Sequence, residues 1–305
     1  MTLLQSFYFA CISVSPVLAI LLLGMWLKKA NVVNSEFIRG GNQIVFNIAL
    51  PCLLFINVAT NPLQKNLDTT LVIYAAIATL LSVLFLVVIA RFTAPKSQRG
   101  VFVQCSFRGN MAIIGLALAV SYLGEEIIPV VATYLAFITI LYNVLSIMVL
   151  TTFNRSMLVT ILKNPLILGI VAGLIVSLLG ISLPKFVTQP LNYLSQLTLP
   201  LALLCIGASL DWHSAKSNTR VTAIASVLKL AIIPTVVVSG GWYLGLGKEA
   251  LIVLFLMSGA PTAAAAFVMS KQLTDHGDLA SEIITFSTLL SPLTITIGLM
   301  ILGEV

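Results

Sequence analysis

Ten runs of apolar residues follow one another along the chain, separated by short polar gaps. The first five are Phe7–Leu27, Phe37–Ala59, Thr70–Ala90, Arg99–Leu123 and Ile127–Phe153. The second five are Ile161–Ile181, Leu191–Leu210, Val221–Leu246, Ala250–Gln272 and Ala280–Leu302. Each has about the 20 residues that a helix needs to cross a bilayer. The pattern therefore predicts an all-α membrane protein of ten transmembrane helices. The gaps carry Gly, Pro, Asn or charge, as turns at a membrane surface do, and none has room for a soluble domain.

Two runs are interrupted. In the fourth, Phe107-Arg108-Gly109-Asn110-Met111-Ala112-Ile113-Ile114-Gly115 carries a full positive charge, two glycines and an amide. A cation at that depth costs roughly 2.5 to above 10 kcal/mol, and Gly109 weakens the helix where the charge sits. In the ninth, Ser258-Gly259-Ala260-Pro261-Thr262-Ala263 breaks the run in the same manner. Irregular backbone is tolerated at mid-membrane only where protein buries it or it lines a wet cavity. Each break creates an N-terminal end that attracts anions and a C-terminal end that attracts cations. The two broken helices are expected to cross and form one site.

Internal similarity supports that pairing. Adding 149 to positions in the first half carries Pro16 to Pro165, Gly24 to Gly173, Leu50-Pro51 to Leu199-Pro200 and Arg99 to Lys248. Gly109-Asn110 falls on Ser258-Gly259. Five spans per half is an odd number, so the second half enters the membrane inverted, the pattern of secondary transporters. The expected units are residues 1–149 and 150–305.

Composition agrees with the bilayer as solvent: 59% of the 305 residues are hydrophobic and 9% charged, where a soluble domain carries about a quarter charged residues. The net charge of +6 is distributed as topology signals. Eleven Lys and Arg fall in one set of alternate loops and three in the other, which puts both termini on the non-cytoplasmic side. Nucleic acid is excluded as a partner, since no basic face gathers these charges. The N-terminus has no basic residue ahead of its apolar run, so the first span reads as a retained helix. Cys11, Cys52, Cys105 and Cys205 each lie in a different span and read as small buried hydrophobes. His213 and His276, both assigned to loops, make no metal motif, and neither a phosphate loop nor a nucleophile elbow occurs. No enzyme activity, metal or cofactor is expected.

The remaining two cations lie inside spans. Arg108 falls about 15 Å from the flank at Arg99, near the bilayer centre, and Lys229 reaches similar depth nine residues past Arg220. The acidic residues sit in loops and at span ends, so the interior attracts anions. Arg108 either meets a bound anion or compensates helix carbonyls. Lys229 can shed its proton when desolvated and Arg cannot, which makes Lys229 the candidate for proton coupling. Asn110 and Thr262 flank the breaks as ligand contacts or caps. Tyr142 and Asn143 are interhelical bonding or ligand residues, and Pro51 and Pro200 bend their spans and shape the cavity. Gly169 and Gly173 form a GxxxG that packs helices or joins protomers.

Several stretches resemble the auxin efflux carrier family. They are Phe37-Ile38-Arg39-Gly40-Gly41-Asn42-Gln43-Ile44-Val45-Phe46-Asn47-Ile48-Ala49-Leu50-Pro51, Arg108-Gly109-Asn110 with Gly115-Leu116, and Lys163-Asn164-Pro165. Ala260-Pro261-Thr262-Ala263-Ala264-Ala265-Ala266-Phe267-Val268 with Lys271-Gln272 completes the set. The resemblance implies a sodium/proton-antiporter-like fold with crossed helices 4 and 9, a scaffold of spans 1, 2, 6 and 7 that forms a homodimer, and a moving transport domain of spans 3–5 and 8–10. It implies an inner-membrane secondary transporter of a small organic anion such as malonate, malate or an auxin-like acid, working by an elevator motion. The site residues carried over are Gly109, Asn110 and Gly115 with Gly259, Pro261 and Thr262; Arg108, Pro51, Tyr142, Asn143 and Ser258 join them from the reading above. A passive anion channel and a sodium-coupled bile-acid-type carrier are the alternatives. Many members have Pro where this chain has Ala117, so a weaker first break is expected.

Overall fold

The computed structural model describes residues 15–16, 19–60, 69–151, 163, 165–209 and 212–304. These form helices throughout, with no strand among the described residues. In chain order they are α1 (19–29), α2 (Ser35–Thr60), α3 (Thr69–Thr93), and a broken fourth helix, α4a (Arg99–Phe107) then α4b. The half-helix α4b joins a π-helical turn, Met111–Gly115, to Leu116–Leu123. Then come α5 (Ile128–Leu150), α6 (Pro165–Leu178), α7 (Lys185–Ser209), and α8, formed by Trp212–Val227, a π-helical turn at Leu228–Ile232, and Ile233–Tyr243. A broken ninth helix, α9a (Lys248–Gly259) and α9b (Ala264–Leu273), precedes α10 (Gly277–Glu304).

Unbroken stretches of α2, α3, α5, α7, α8 and α10 are each long and apolar enough to cross a membrane, and α6 is a shorter apolar helix. On α3 the side chains of Leu81, Leu84 and Val88 point outward and exposed, a face that lipid rather than water solvates. The protein is an integral membrane protein. Helices α7 and α8 begin earlier than the hydropathy pattern predicted, at Lys185 and Trp212. Their first turns are polar, and apolar runs cannot mark a helix that extends past the hydrocarbon. His213 consequently lies in helical backbone, not in a loop.

Two π-helical turns explain how α2 and α8 carry prolines. A proline lacks the N–H for its i−4 carbonyl and its ring crowds that carbonyl. In α2 the turn Val45–Ala49 lets Leu50 donate to the Val45 carbonyl, and Pro51 follows directly. In α8 the turn Leu228–Ile232 lets Ile233 donate to Leu228, and Pro234 follows. The extra residue absorbs the misfit.

Small residues set the close approaches. A Cβ on Gly169 of α6 would lie 2.7 Å from the Pro51 carbonyl oxygen, and one on Gly173 would lie 2.8 Å from that of Phe55. The GxxxG pair thus seats α6 on α2 of the same chain. Gly24 of α1 meets the Leu204 backbone on α7, and Gly207 of α7 meets that of Leu21. Two packing groups result: α1, α2, α6 and α7 on one side, the remaining helices on the other, with a seam between them. Cys52, Cys105 and Cys205 are unpaired; Cys11 lies outside the described residues.

Candidate functional site

The fourth helix stops because its backbone turns extended at Arg108 (φ −77°, ψ 94°). The ninth does the same at Ala260 and Ala263 (ψ 141° at each). The two extended pieces pair with each other. Asn110 N–H donates to the Pro261 carbonyl at 2.7 Å, and Ala263 N–H donates to the Arg108 carbonyl at 2.9 Å, an antiparallel bridge centred on Gly109 and Thr262. Each break thereby satisfies backbone groups that the other exposes. Thr262 adds two bonds: its hydroxyl donates to the Cys105 carbonyl at 2.8 Å and its N–H donates to Ser287 Oγ at 3.1 Å. The expectation of a weaker first break is corrected here. Without a proline at 117 the fourth helix still breaks, and it does so at Arg108–Asn110, where the extended segment of the ninth helix pairs with it.

Both interior cations sit at this crossing. Lys229 is fully buried, and its ammonium donates to the Ser258 carbonyl at the C-terminal end of α9a. A Cβ on Gly109 would lie 2.9 Å from that ammonium and 3.1 Å from the Met257 carbonyl, so a larger residue there would crowd the cation. Arg108, 5% exposed, turns toward α5. It donates to the Tyr142 carbonyl at 3.2 Å, Ser146 Oγ at 2.9 Å and Asn143 Oδ1 at 2.9 Å. Phe107 stands edge-on to Tyr142, ring centres 5.3 Å apart.

A cavity of about 360 Å³ opens between this crossing and the other packing group. Met111 and Ala112 of α4b and Ala264 and Ala265 of α9b line it. These are the first residues of their half-helices, whose N–H groups have no intrahelical partner, so two positive helix ends face one space. Leu50, Leu53 and Leu54 of α2 and Ser195, Gln196, Thr198 and Leu199 of α7 form the opposite wall. Thr198 is buried, and its Oγ has no hydrogen-bond partner among the described residues.

Of the residues singled out from sequence, Arg108, Gly109, Asn110 and Tyr142 line this cavity. Asn143 stands behind Arg108 and orients it. Ser258, Gly259, Pro261 and Thr262 build the crossing and are not in the lining. Pro51 is not in the lining: its backbone sits against Gly169, on the α6 side of α2. Asn47 is exposed and donates to its own Gln43 carbonyl at 3.0 Å. Thr198, Gln196 and Asn57 were missed. The polar set Ser195-Gln196-Thr198 just before Pro200, in an otherwise apolar span, was the available signal. Among the described residues no group of three His, Cys, Asp or Glu gathers for a metal.

Two further cavities continue the seam. One of about 740 Å³ lies between Lys28, Arg39 and Asn42 on one side and Lys271 and Gln272 on the other. Another of about 250 Å³ shares Leu54, Asn57, Ala112 and Thr139 with the central one and is lined mostly by apolar groups.

A broken-helix crossing walled by a seam is an arrangement for passing something through the bilayer. The sequence profile of a family described as membrane transport protein matches residues 9–158 and 146–299. The chain belongs to that family, the auxin efflux carriers. Among its relatives in this family is an uncharacterized transporter of Methanocaldococcus jannaschii, 26% identical over 83% of this chain and 86% of that one. The uncharacterized transporter YfdV of Escherichia coli is 20% identical over 84% of this chain and 86% of its own length. A candidate malonate transporter of Rhizobium meliloti is 26% identical over 86% of this chain and 85% of that protein.

Proposed function

We propose that this family member is a secondary transporter that carries a small organic anion, a carboxylate such as malonate, malate or an auxin-like acid, by elevator-type alternating access. One observation carries the reading: two helix N-termini and Arg108 open onto a single cavity whose far wall holds an unpartnered hydroxyl. A carboxylate there accepts from the free N–H groups of α4b and α9b, is neutralised by Arg108, and lays its apolar part against Leu50, Leu53 and Leu199. The name of the Rhizobium meliloti relative supports the carboxylate class.

In this reading ten helices span the bacterial inner membrane as two inverted halves, 1–149 and 150–305. Helices α1, α2, α6 and α7 are the scaffold and dimer surface, and α3–α5 with α8–α10 move. The reciprocal contacts α1 on α7 and α6 on α2, made by Gly24 and Gly173 at the 149-residue offset, support the repeat. The gathering of Lys28, Arg39 and Lys271 at one end of the seam supports that end as cytoplasmic. Both termini are then non-cytoplasmic. The Lys229 ammonium on the carbonyl end of α9a does the work of a bound sodium ion. Transport is accordingly sodium-independent and coupled to protons through Lys229, without enzyme chemistry or a cofactor.

The test is uptake and counterflow of radiolabelled malonate in proteoliposomes, in sodium and in choline buffer. Saturable counterflow that ignores sodium is expected. Linear flux without counterflow, or no flux of malonate, malate or an indole carboxylate, would sink the reading.

A further inference from the structure

The interior of the second packing group holds a set of polar residues that the anion cavity does not use. Glu282 lies five residues into α10 and is 4% exposed. The sequence reading set it aside as a residue at a span end; packing against α8 buries it. Thr222 Oγ1 donates to Glu282 Oε2 at 3.2 Å. On α8, Thr222, Ser226 and Lys229 follow at spacings of four and three, so they share one face, and all three are buried. That face runs about 10 Å along the helix, from the carboxylate to the crossing. Between its ends Ser226 Oγ is buried with no hydrogen-bond partner among the described residues. The neighbouring hydroxyls of α10 are engaged: Ser281 donates to the Asp278 carbonyl at 2.7 Å and Thr285 to the Ser281 carbonyl at 2.9 Å. A buried hydroxyl left unpaired is costly, and this one lies midway between an acid and an amine.

We propose that Glu282, Thr222 and Ser226 form a proton line joining the cytoplasmic face to Lys229, a proposal that rests on the reading of Lys229 as the coupling group. A hydroxyl both accepts and donates, so it can take a proton on one side and release its own on the other. In the transfer an N–H bond of the Lys229 ammonium breaks as a water in the gap beside Ser226 takes that proton and hands one of its own to Ser226 Oγ. Ser226 passes its own proton through a second water to Thr222, Thr222 passes its own to the Glu282 carboxylate across the one bond already formed, and an O–H bond forms there. The ammonium and carboxylate become a neutral amine and a carboxylic acid, both hydroxyls end as they began, and the acid releases its proton to water. Such chains of buried polar groups are how membrane proteins move protons.

Glu282 has a further interaction besides that with Thr222, and the charged side chains nearest this set are placed as follows. Arg99 donates to the Ala94 and Arg91 carbonyls, Lys271 pairs with Asp278 at 3.4 Å, and Lys248 donates to the Gly303 carbonyl. Arg220, Glu249, Lys185 and Tyr193 are exposed, Cys205 faces Gly41 of α2, and Cys105 is buried on α4a. Arg108 is turned to α5.

The test uses the full-length protein reconstituted in lipid. The pH-difference infrared spectrum of the wild type is expected to carry the C=O stretch of a buried carboxylic acid. The band should vanish in E282Q, persist in E282D, and titrate at a shifted pH in K229M and in S226A. S226A should melt no lower than the wild type, since it removes an unpaired group. A band that survives E282Q, or one whose titration ignores both K229M and S226A, overturns the line. In proteoliposomes, malonate exchange at equal pH should survive in E282Q while acceleration by a pH gradient is lost. A wild type indifferent to the gradient, or an E282Q that loses exchange as completely as gradient-driven uptake, also overturns it. If the wild type moves no carboxylate yet the infrared band behaves as described, the substrate reading fails and the proton line stands.

Discussion

Arg108 has five N–H donors, and three hydrogen bonds to α5 use part of that set. In the proposed function the remaining donors meet the anion, so that one guanidinium both steadies the break and contacts the cargo. Arg108→Lys keeps the charge but loses the planar fork. Malonate affinity, read by competition in counterflow, is expected to fall by about tenfold or more, about 1.4 kcal/mol. Thr198→Val removes the hydroxyl that in the proposed function donates to the ligand carboxylate, about 1.5–3 kcal/mol and so about tenfold or more in affinity. Its melting temperature should not drop, because valine leaves no polar atom unpaired. Arg108, Asn110 and Lys229 were legible in the sequence because a charge or an amide is conspicuous in an apolar run. Thr198 was not, because a lone hydroxyl in a span is common and only packing decides what it faces. Pro51 stands out in the sequence for a backbone effect, which does not say which face of α2 it occupies; it lies outside the lining.

At the scale of single helices, a π-helical turn, one residue, then proline recurs at Val45–Pro51 and Leu228–Pro234. The turn Met111–Gly115, followed by Leu116, has the same form and is followed by Ala117. A proline in an ordinary helix interior costs about 3 kcal/mol. Ala117→Pro is expected to cost far less, with a melting temperature in detergent close to that of the wild type and uptake retained. The close approach of α6 to α2 gives the contrary expectation. Gly169→Leu drives a side chain into the Pro51 backbone and should destabilise by about 1–3 kcal/mol, seen as a lower melting temperature. The broken helices themselves were legible, since Gly, Asn and Pro interrupt their apolar runs. The π-helical turns were not, because an extra residue in a turn leaves the 3.6-residue pattern of a uniformly apolar helix almost unchanged.

For the whole molecule, three cavities lie along one seam, and the proposed alternating access makes relative motion of the two packing groups the step to arrest. A reducible linker between cysteines in L54C/T139C, in a background lacking the four native cysteines, should stop malonate uptake, and reduction should restore it. Linked protein that transports normally would rule out movement at this seam. The bonds of Arg108 also bear on how the chain is made. Its α5 partners are encoded 34, 35 and 38 residues after it, whereas Pro261 and Ala263 arrive only with the ninth helix. During synthesis the first half can therefore enter lipid with its most expensive charge already satisfied. Lys229 likewise finds its acceptor, Ser258, on the next helix, 29 residues ahead. Each half thus satisfies its own buried cation, while the backbone bridge between the two breaks forms only when the ninth helix arrives.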